Sequence, residues 1–397
     1  MIAHSTNTTL RQSTRIEALD ALRGIALLGI LFVNFSFFAM PEGSFGTYID
    51  LQFPSDWDRW AQFLIEALCD GKFILIFSFL FGWGFYSQLR SGDTDANRWR
   101  FFRRLGGLLL IGLLHACLLF VGDILVTYAI LGVPLFWMRG WSARNLLIAA
   151  SCMWLVSLLG HVLLGFVPIS QAISLDSYQD ALRIHTQGTL VEIIMFRVES
   201  LIGLYVITPL LFMPQVFAMF LVGLAAAKEH ELKGMDSLHK IAGFILIAFW
   251  LPAVAGNLVY PWLSNLQNEH QFAFLRFLSL GARGLFAPML TLVYLSLASR
   301  FFVQSLGVRV ASLLGGEGRS TLSLYIGESV IMGLLFNSFG LAWYGQIGPA
   351  QGIAICLLVY LLLLITMKLW LRFFRFGPLE WVLRCLTDWK WIPIRQA

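Results

Sequence analysis

Long, nearly unbroken apolar runs, most of them near membrane-spanning length, recur from residue 21 to residue 371, and they constrain the fold more than any other feature. A bilayer's hydrocarbon core is about 30 Å thick and takes a helix of about 20 apolar residues. No water is available there, so each run must satisfy its own backbone N–H and C=O groups as a helix. The strict alternation of a membrane β-barrel is absent. Of the 397 residues, 58% are hydrophobic and only 13% charged, whereas a soluble domain is about a quarter charged. The expected fold is all-α, a polytopic membrane helical bundle.

Ten spans are expected, at about 21–41, 61–88, 102–121, 124–138, 145–167, 200–227, 241–262, 272–299, 320–340 and 349–371. The fourth is short and either crosses tilted or is partly re-entrant. Residues 1–20 form a polar segment, 21–371 a single transmembrane domain whose halves are about 21–167 and 200–371, and 372–397 a tail. The connection 168–199 has room for a short amphipathic helix. The first run lacks a small-residue cleavage pattern and is expected to be retained. No internal repeat is visible, so nothing directly favours an inverted-repeat transporter.

Lys and Arg in the loops set the orientation. With the N-terminus in the cytoplasm, twenty of them fall on the cytoplasmic side and four (Arg59, Arg183, Arg197 and Arg276) outside. Both termini are therefore expected in the cytoplasm. The formal charge is +5, but the basic residues cluster at helix ends rather than in one patch. That suits anionic lipid as a partner and not nucleic acid. Cys69, Cys117, Cys152, Cys356 and Cys385 are widely spaced, so neither a disulfide framework nor a metal site is expected.

A charge at membrane depth costs roughly 2.5–3.5 kcal/mol and usually faces protein or a water-filled cavity. Counting rise along the expected spans puts Asn34, Lys72, His115 and Arg283 at about 20–24 Å from the inner face, with Asp70 and Asp123 slightly further out. Glu328 lies deeper. A shared depth does not establish lateral contact; if these residues meet, they form an outward-facing polar cavity. Asn34 is either an interhelical hydrogen-bond donor or an oxyanion donor. Lys72 either pairs with Asp70 or serves a site, and Arg283 either pairs with an aspartate or binds substrate. Asp123, after Gly122, suits a helix start. His115 is the strongest catalytic candidate, because imidazole exchanges protons near neutral pH. His115 and Asp123 lie about 12 Å apart along a straight helix, so either the "VGD" segment folds back or Asp123 serves another partner. His161 and Glu66 have no evident partners in the sequence and read as structural. His185 either lines a pocket mouth or is solvated.

Arg90, Arg98, Arg100, Arg103 and Arg104 crowd one loop, "LRSGDTDANRWRFFRRLG". They serve orientation and lipid binding, or they hold a phosphate-rich donor such as coenzyme A. No P-loop or dinucleotide fingerprint accompanies them.

The opening "IEALDALRGIALLGILFVNFSFFAMP" resembles that of the YeiB family, bacterial inner-membrane proteins with a domain of unknown function. "GKFILIFSFLFGWG", "RRLGGLLLIGLLHACLLFVGDILVTYAILG", "GEGRSTLSLYIGESVI" and "RFFRFGPLEWVLRCLT" follow in the same order. The resemblance covers nearly the whole chain and implies a multi-pass plasma-membrane protein of a family sometimes labelled possible transporters. The first spans are also similar to transmembrane acyltransferases, including the lysosomal heparan-glucosamine acetyltransferase and bacterial sugar O-acetyltransferases. Leu19, Asp20, Arg23, Gly24 and Asn34 carry that similarity. It implies acyl transfer from cytoplasmic acyl-CoA to an extracytoplasmic acceptor. The lysosomal enzyme has its catalytic histidine shortly after the asparagine, but no histidine lies between Asn34 and Trp60 here.

The function expected first is therefore acyl transfer to a sugar or envelope acceptor. His115, Asp123 and Asn34 would be catalytic, and Lys72, Asp70, Arg283, Glu328, Arg98, Arg103 and Arg104 would bind substrate. A proton-coupled transporter or a non-catalytic membrane component is the alternative.

Overall fold

The computed structural model describes residues 2–41, 52–89, 94–166, 175–270 and 273–395, and those residues are overwhelmingly helical. In chain order the helices are α1 (Ile2–Ala39), α2 (Asp56–Leu68), α3 (Lys72–Leu89), α4 (Asp95–Leu118), α5 (Leu125–Trp137), α6 (Ala143–Leu164), α7 (Leu175–Gln187), α8 (Leu190–Lys233), α9 (Met235–His270), α10 (Ala273–Phe301), α11 (Ser305–Leu314), α12 (Thr321–Phe336), α13 (Pro349–Trp370) and α14 (Pro378–Asp388).

Seven stretches of these helices are long and apolar enough to cross a membrane: Glu17–Ala39, Asp95–Leu118, Ala143–Leu164, Leu211–Lys233, Ser237–Leu266, Phe274–Phe301 and Pro349–Trp370. They match seven of the ten expected spans. The other three differ in instructive ways. The expected span 61–88 is broken at Cys69–Gly71 into α2 and α3, where Gly71 adopts φ +78°. A left-handed residue ends a helix, and hydropathy averaged across the break hides it. The expected spans 124–138 and 320–340 are the shorter apolar helices α5, of 13 residues, and α12, of 16. The amphipathic helix expected between 168 and 199 is α7, followed directly by the start of α8; residues 167–174 lie outside the described residues.

Helices α3 and α8 form the centre through backbone contact. A Cβ on Gly82 would stand 2.0 Å from the Phe220 carbonyl oxygen, and one on Gly223 2.0 Å from that of Phe79. Small residues allow such approach where apolar lipid gives helices no hydrophobic reason to associate. Phe81 stacks on Phe220 at 4.5 Å and Tyr128 meets Phe220 edge-on at 5.0 Å. Helices α9 and α10 pair as a hairpin, where the Asn257 amide donates to the Phe286 carbonyl at 2.7 Å. The outward side of α9, with Phe244 and Ile247 at 67% and 85% exposure, suits lipid.

The two ends of the bundle differ. At one end α14 docks on α4: Arg100 pairs with Asp388 at 2.6 Å and Arg103 donates to the Thr387 carbonyl at 2.7 Å. The starts of α4 and α12 and the Asp20 region of α1 share that end. At the opposite end the Gly345 N–H donates to the Ala39 carbonyl at 2.7 Å, and the Asp58 carboxylate caps α13 by accepting from Ala350 N–H at 2.9 Å.

Candidate functional site

Helix α4 closes on His115, whose carbonyl accepts from both Leu119 and Phe120 at 2.9 Å. The chain then turns through Gly122, where a Cβ would stand 2.6 Å from the Phe120 ring. A turn earlier, a Cβ on Gly112 would come within 2.8 Å of the Val126 nitrogen, so glycine lets the start of α5 lie against α4. The turn carries Asp123 back to the histidine. Asp123 Oδ2 accepts from Val126 N–H at 2.8 Å, capping α5, while Oδ1 stands 2.7 Å from His115 Nδ1. The capping role and the histidine contact are therefore two uses of one carboxylate.

The other ring nitrogen, Nε2, lies 2.8 Å from Ser329 Oγ on α12. The carboxylate can only accept, so it fixes the proton on Nδ1 and leaves Nε2 to accept from the serine hydroxyl. His115 is 2% exposed, Asp123 7% and Ser329 1%. The Tyr325 ring lies 4.9 Å from the imidazole. Glu328 is buried one residue before Ser329, and its Oε1 has no hydrogen-bond partner among the described residues. Ser329 is the residue that sequence reasoning missed. Its only signal was its place beside Glu328 in "YIGESV", and a serine in an apolar helix is otherwise unremarkable.

A second polar group forms at the α2–α3 break. Asp70 takes Arg283 bidentately, from Nε at 2.7 Å and Nη2 at 3.0 Å, and accepts from the Tyr260 hydroxyl at 3.1 Å. Arg283 Nη1 lies 3.2 Å from His161 Nε2, whose ring is set by Nδ1–H donating to the Ser157 carbonyl at 2.8 Å. Lys72 is fully buried and donates to the Glu66 carbonyl at 2.7 Å rather than to Asp70, while the Glu66 carboxylate is held by Gln62 at 2.6 Å. The reading of His161 and Glu66 as residues without partners is thus corrected: Gln62 stands one turn before Glu66 on the same helix, and Arg283 reaches His161 from 122 residues away. Irregular backbone at membrane depth is tolerated where protein buries it or it lines a cavity.

The residues expected at a shared depth, with the deeper Glu328, therefore fall into two groups. His115, Asp123 and Glu328 belong to α4, α5 and α12; Asp70, Lys72 and Arg283 belong to the group at the break. No hydrogen bond among the described residues joins a member of one group directly to a member of the other. Asn34, half-buried on α1, hydrogen-bonds to neither.

At the end opposite α14, His185 is buried and stacks on Tyr344 at 4.2 Å, with Nδ1 2.7 Å from Asn337 Oδ1. Burial, helped by the Arg197 charge and opposed by the Asn337 contact, pulls its pKa down to about 4. Arg197 donates to the Leu118 carbonyl at 2.6 Å, bracing the turn that follows His115.

At the α14 end the loop arginines sort themselves. Arg98 pairs with Asp95 at 3.3 Å, and Arg100 and Arg103 hold α14. Arg104 hydrogen-bonds to nothing among the described residues and faces the charges of Arg23, Arg100 and Arg384. Asp20 is ion-paired with Arg23, and the Gly24 carbonyl accepts from the Tyr360 hydroxyl at 2.7 Å. Arg90 lies outside the described residues. The Glu380 carboxylate caps α12, accepting from Leu322 N–H at 2.7 Å, Ser323 N–H at 3.1 Å and the Ser323 hydroxyl at 2.5 Å. Burial raises its pKa against the pull of those donors.

Comparison with known proteins gives the relationship. The model of a family described as a protein of unknown function (DUF418) matches residues 226–390, which hold Arg283, Glu328, Ser329 and Glu380. The uncharacterized protein YxaH of Bacillus subtilis (strain 168) is 29% identical over 96% of each chain. The uncharacterized protein YeiB of Escherichia coli (strain K12) is 29% identical over 94% of this chain and 96% of its own. Over nearly its whole length the chain is similar to YeiB and YxaH. An uncharacterized 39.9 kDa protein from Bacillus acidopullulyticus is 27% identical over 96% of both chains. The full-length YeiB-family relatives span both polar groups, whereas the family model begins within α8 and omits His115, Asp123 and Asp70.

Proposed function

We propose that this chain is a multi-pass acyltransferase of the bacterial plasma membrane, with ten spans and both termini in the cytoplasm. It would move an acyl group from cytoplasmic acyl-CoA to the hydroxyl of an extracytoplasmic sugar or envelope acceptor. The observation that carries this reading is the hydrogen-bonded chain Asp123–His115–Ser329. His115 acts as general base, and Asp123 holds its tautomer and stabilises the imidazolium that forms. A positioned base of this kind contributes roughly 10²–10⁴ in rate. Arg104, with Arg23 and Arg384 beside it, supplies the donor's phosphate contacts; Arg98 and Arg103 have other partners.

The test is acyl-CoA binding and transfer with the purified protein in detergent. His115→Ala should abolish transfer while coenzyme A still raises the melting temperature. If acyl-CoA neither binds nor is consumed, the reading fails.

A second reading, proton-coupled transport, is favoured by the Asp70–Arg283–His161 network. Its Arg283 and Asp70 side chains keep 31% and 17% exposure at membrane depth. Substrate movement in vesicles driven by a pH gradient, with no acyl product, would favour it over transfer.

A further inference from the structure

We propose that Ser329 is a nucleophile, and that the acyl group passes through a covalent ester on its Oγ. This inference rests on the acyl-transfer reading and adds the route.

Several helical serines elsewhere in the chain donate their hydroxyl to the carbonyl one turn back. Ser78 does so at 2.7 Å, Ser151 at 3.0 Å and Ser296 at 2.7 Å. Ser329 stands 3.3 Å from the Tyr325 carbonyl but 2.8 Å from His115 Nε2. Its hydroxyl is therefore directed to the imidazole. The carboxylate-set tautomer makes that nitrogen a proton acceptor. Nucleophile, base and orienting carboxylate each sit within hydrogen-bond reach of the next, the arrangement that activates a hydroxyl.

The other buried histidine at membrane depth serves as a contrast. Ser157 lies 3.4 Å from His161 Nδ1, on the nitrogen that already faces the Ser157 carbonyl, and donates its own hydroxyl to the Leu211 carbonyl at 2.5 Å. Among the described residues no carboxylate hydrogen-bonds the His161 ring, and its remaining nitrogen meets Arg283. Among the described residues, only the His115 group combines a base, an orienting acid and a hydroxyl without a competing short bond. Beside Ser329, the unpartnered Glu328 Oε1 leaves a buried polar acceptor for a hydroxyl or N–H donor brought by a ligand.

In the first half-reaction Ser329 Oγ attacks the thioester carbonyl carbon and its proton passes to His115 Nε2. The carbon–sulfur bond breaks, and the imidazolium returns the proton to the departing sulfur, releasing the free thiol. In the second, the acceptor hydroxyl attacks the acyl-serine carbonyl and gives its proton to His115. The carbon–Oγ bond breaks and the proton returns to Ser329. Burial keeps water from the ester between the two steps.

An alkyl fluorophosphonate, apolar enough to enter the bundle, tests this without knowledge of the substrate. The purified protein should gain one phosphonate on Ser329, located by peptide mass spectrometry. His115→Gln and Asp123→Asn should each slow labelling at least tenfold while the protein stays folded in a thermal-unfolding assay. No label on folded wild-type protein, or labelling at an unchanged rate in His115→Gln, overturns the proposal. Acyl transfer separates it from the broader reading. If Ser329→Ala still transfers and no acyl-serine forms from an acyl thioester, the covalent route is wrong and acyl transfer stands. If Ser329 labels and depends on His115 but no acyl group is ever transferred, the nucleophile stands and the acyltransferase reading falls.

Discussion

His115 and Asp123 are eight residues apart in the chain, yet His115 Nδ1 and Asp123 Oδ1 meet at 2.7 Å. The turn at Phe120–Gly122 makes this possible, and the second carboxylate oxygen stays on Val126 N–H. Two buried donors thus depend on one side chain. Asp123→Ala should leave both unpaired, each at about 1–3 kcal/mol. Asp123→Asn keeps an acceptor for one of them and should be the more stable variant by about 1–3 kcal/mol in thermal unfolding. Both should lose transfer, because neither stabilises an imidazolium. Equal stability of the two variants would count against the shared-carboxylate geometry.

Asp70 and Arg283 form a bidentate pair, with Arg283 inside the apolar stretch Phe274–Phe301. Breaking such a pair costs more than removing it whole, since the surviving charge is left uncompensated. Their partial exposure lowers the penalty, so Asp70→Asn should destabilise by about 3 kcal/mol, the low end for buried pairs. Asp70→Asn combined with Arg283→Gln should recover part of the loss. A double-mutant cycle by thermal unfolding in one detergent reads the coupling, and additive losses would refute it.

Much of this architecture was legible in the sequence. Seven of the ten spans expected from hydropathy are helices long and apolar enough to cross a membrane, and His115 stands out in the sequence as a histidine within an apolar run. What stayed hidden is instructive. The break at Cys69–Gly71 sits inside one run of spanning length, and an average taken over the whole run hides it. His161 became part of a polar group through Arg283, 122 residues away, and Ser329 reached His115 from 214 residues away. Periodicity along a helix reports which face is apolar; it says nothing about which helix lies opposite. The arginine loop shows the same limit, because Arg100 and Arg103 spend their donors on α14, whose docking site no local pattern announces.

Among the described residues of the arginine loop, Arg104 is the arginine that no hydrogen bond holds, so its donors can meet a phosphate. Charge-assisted hydrogen bonds contribute about 1.5–3 kcal/mol, so Arg104→Gln should weaken coenzyme A binding by about 10- to 100-fold. Arg98→Gln, which removes an exposed pair worth about 0–1 kcal/mol, should leave it within a few-fold. Titration calorimetry on the two variants decides the matter. Equal losses would spread the effect over the whole basic loop.

His185 predicts an acid limit to stability. Buried between Tyr344 and Asn337, it titrates near 4 when folded, against about 6.5 when unfolded. Below pH 6.5 the unfolded chain therefore takes up a proton that the folded chain refuses, and stability falls as pH drops toward 4. One group shifted this far removes about 2 kcal/mol between pH 7.5 and pH 5. His185→Gln retains a side-chain hydrogen-bonding group but cannot titrate. It should flatten that part of the pH–stability curve, even if its stability at pH 7.5 is lower. A wild-type curve that is flat from pH 7.5 to 5, or an unchanged slope in His185→Gln, would show that His185 is not the group responsible.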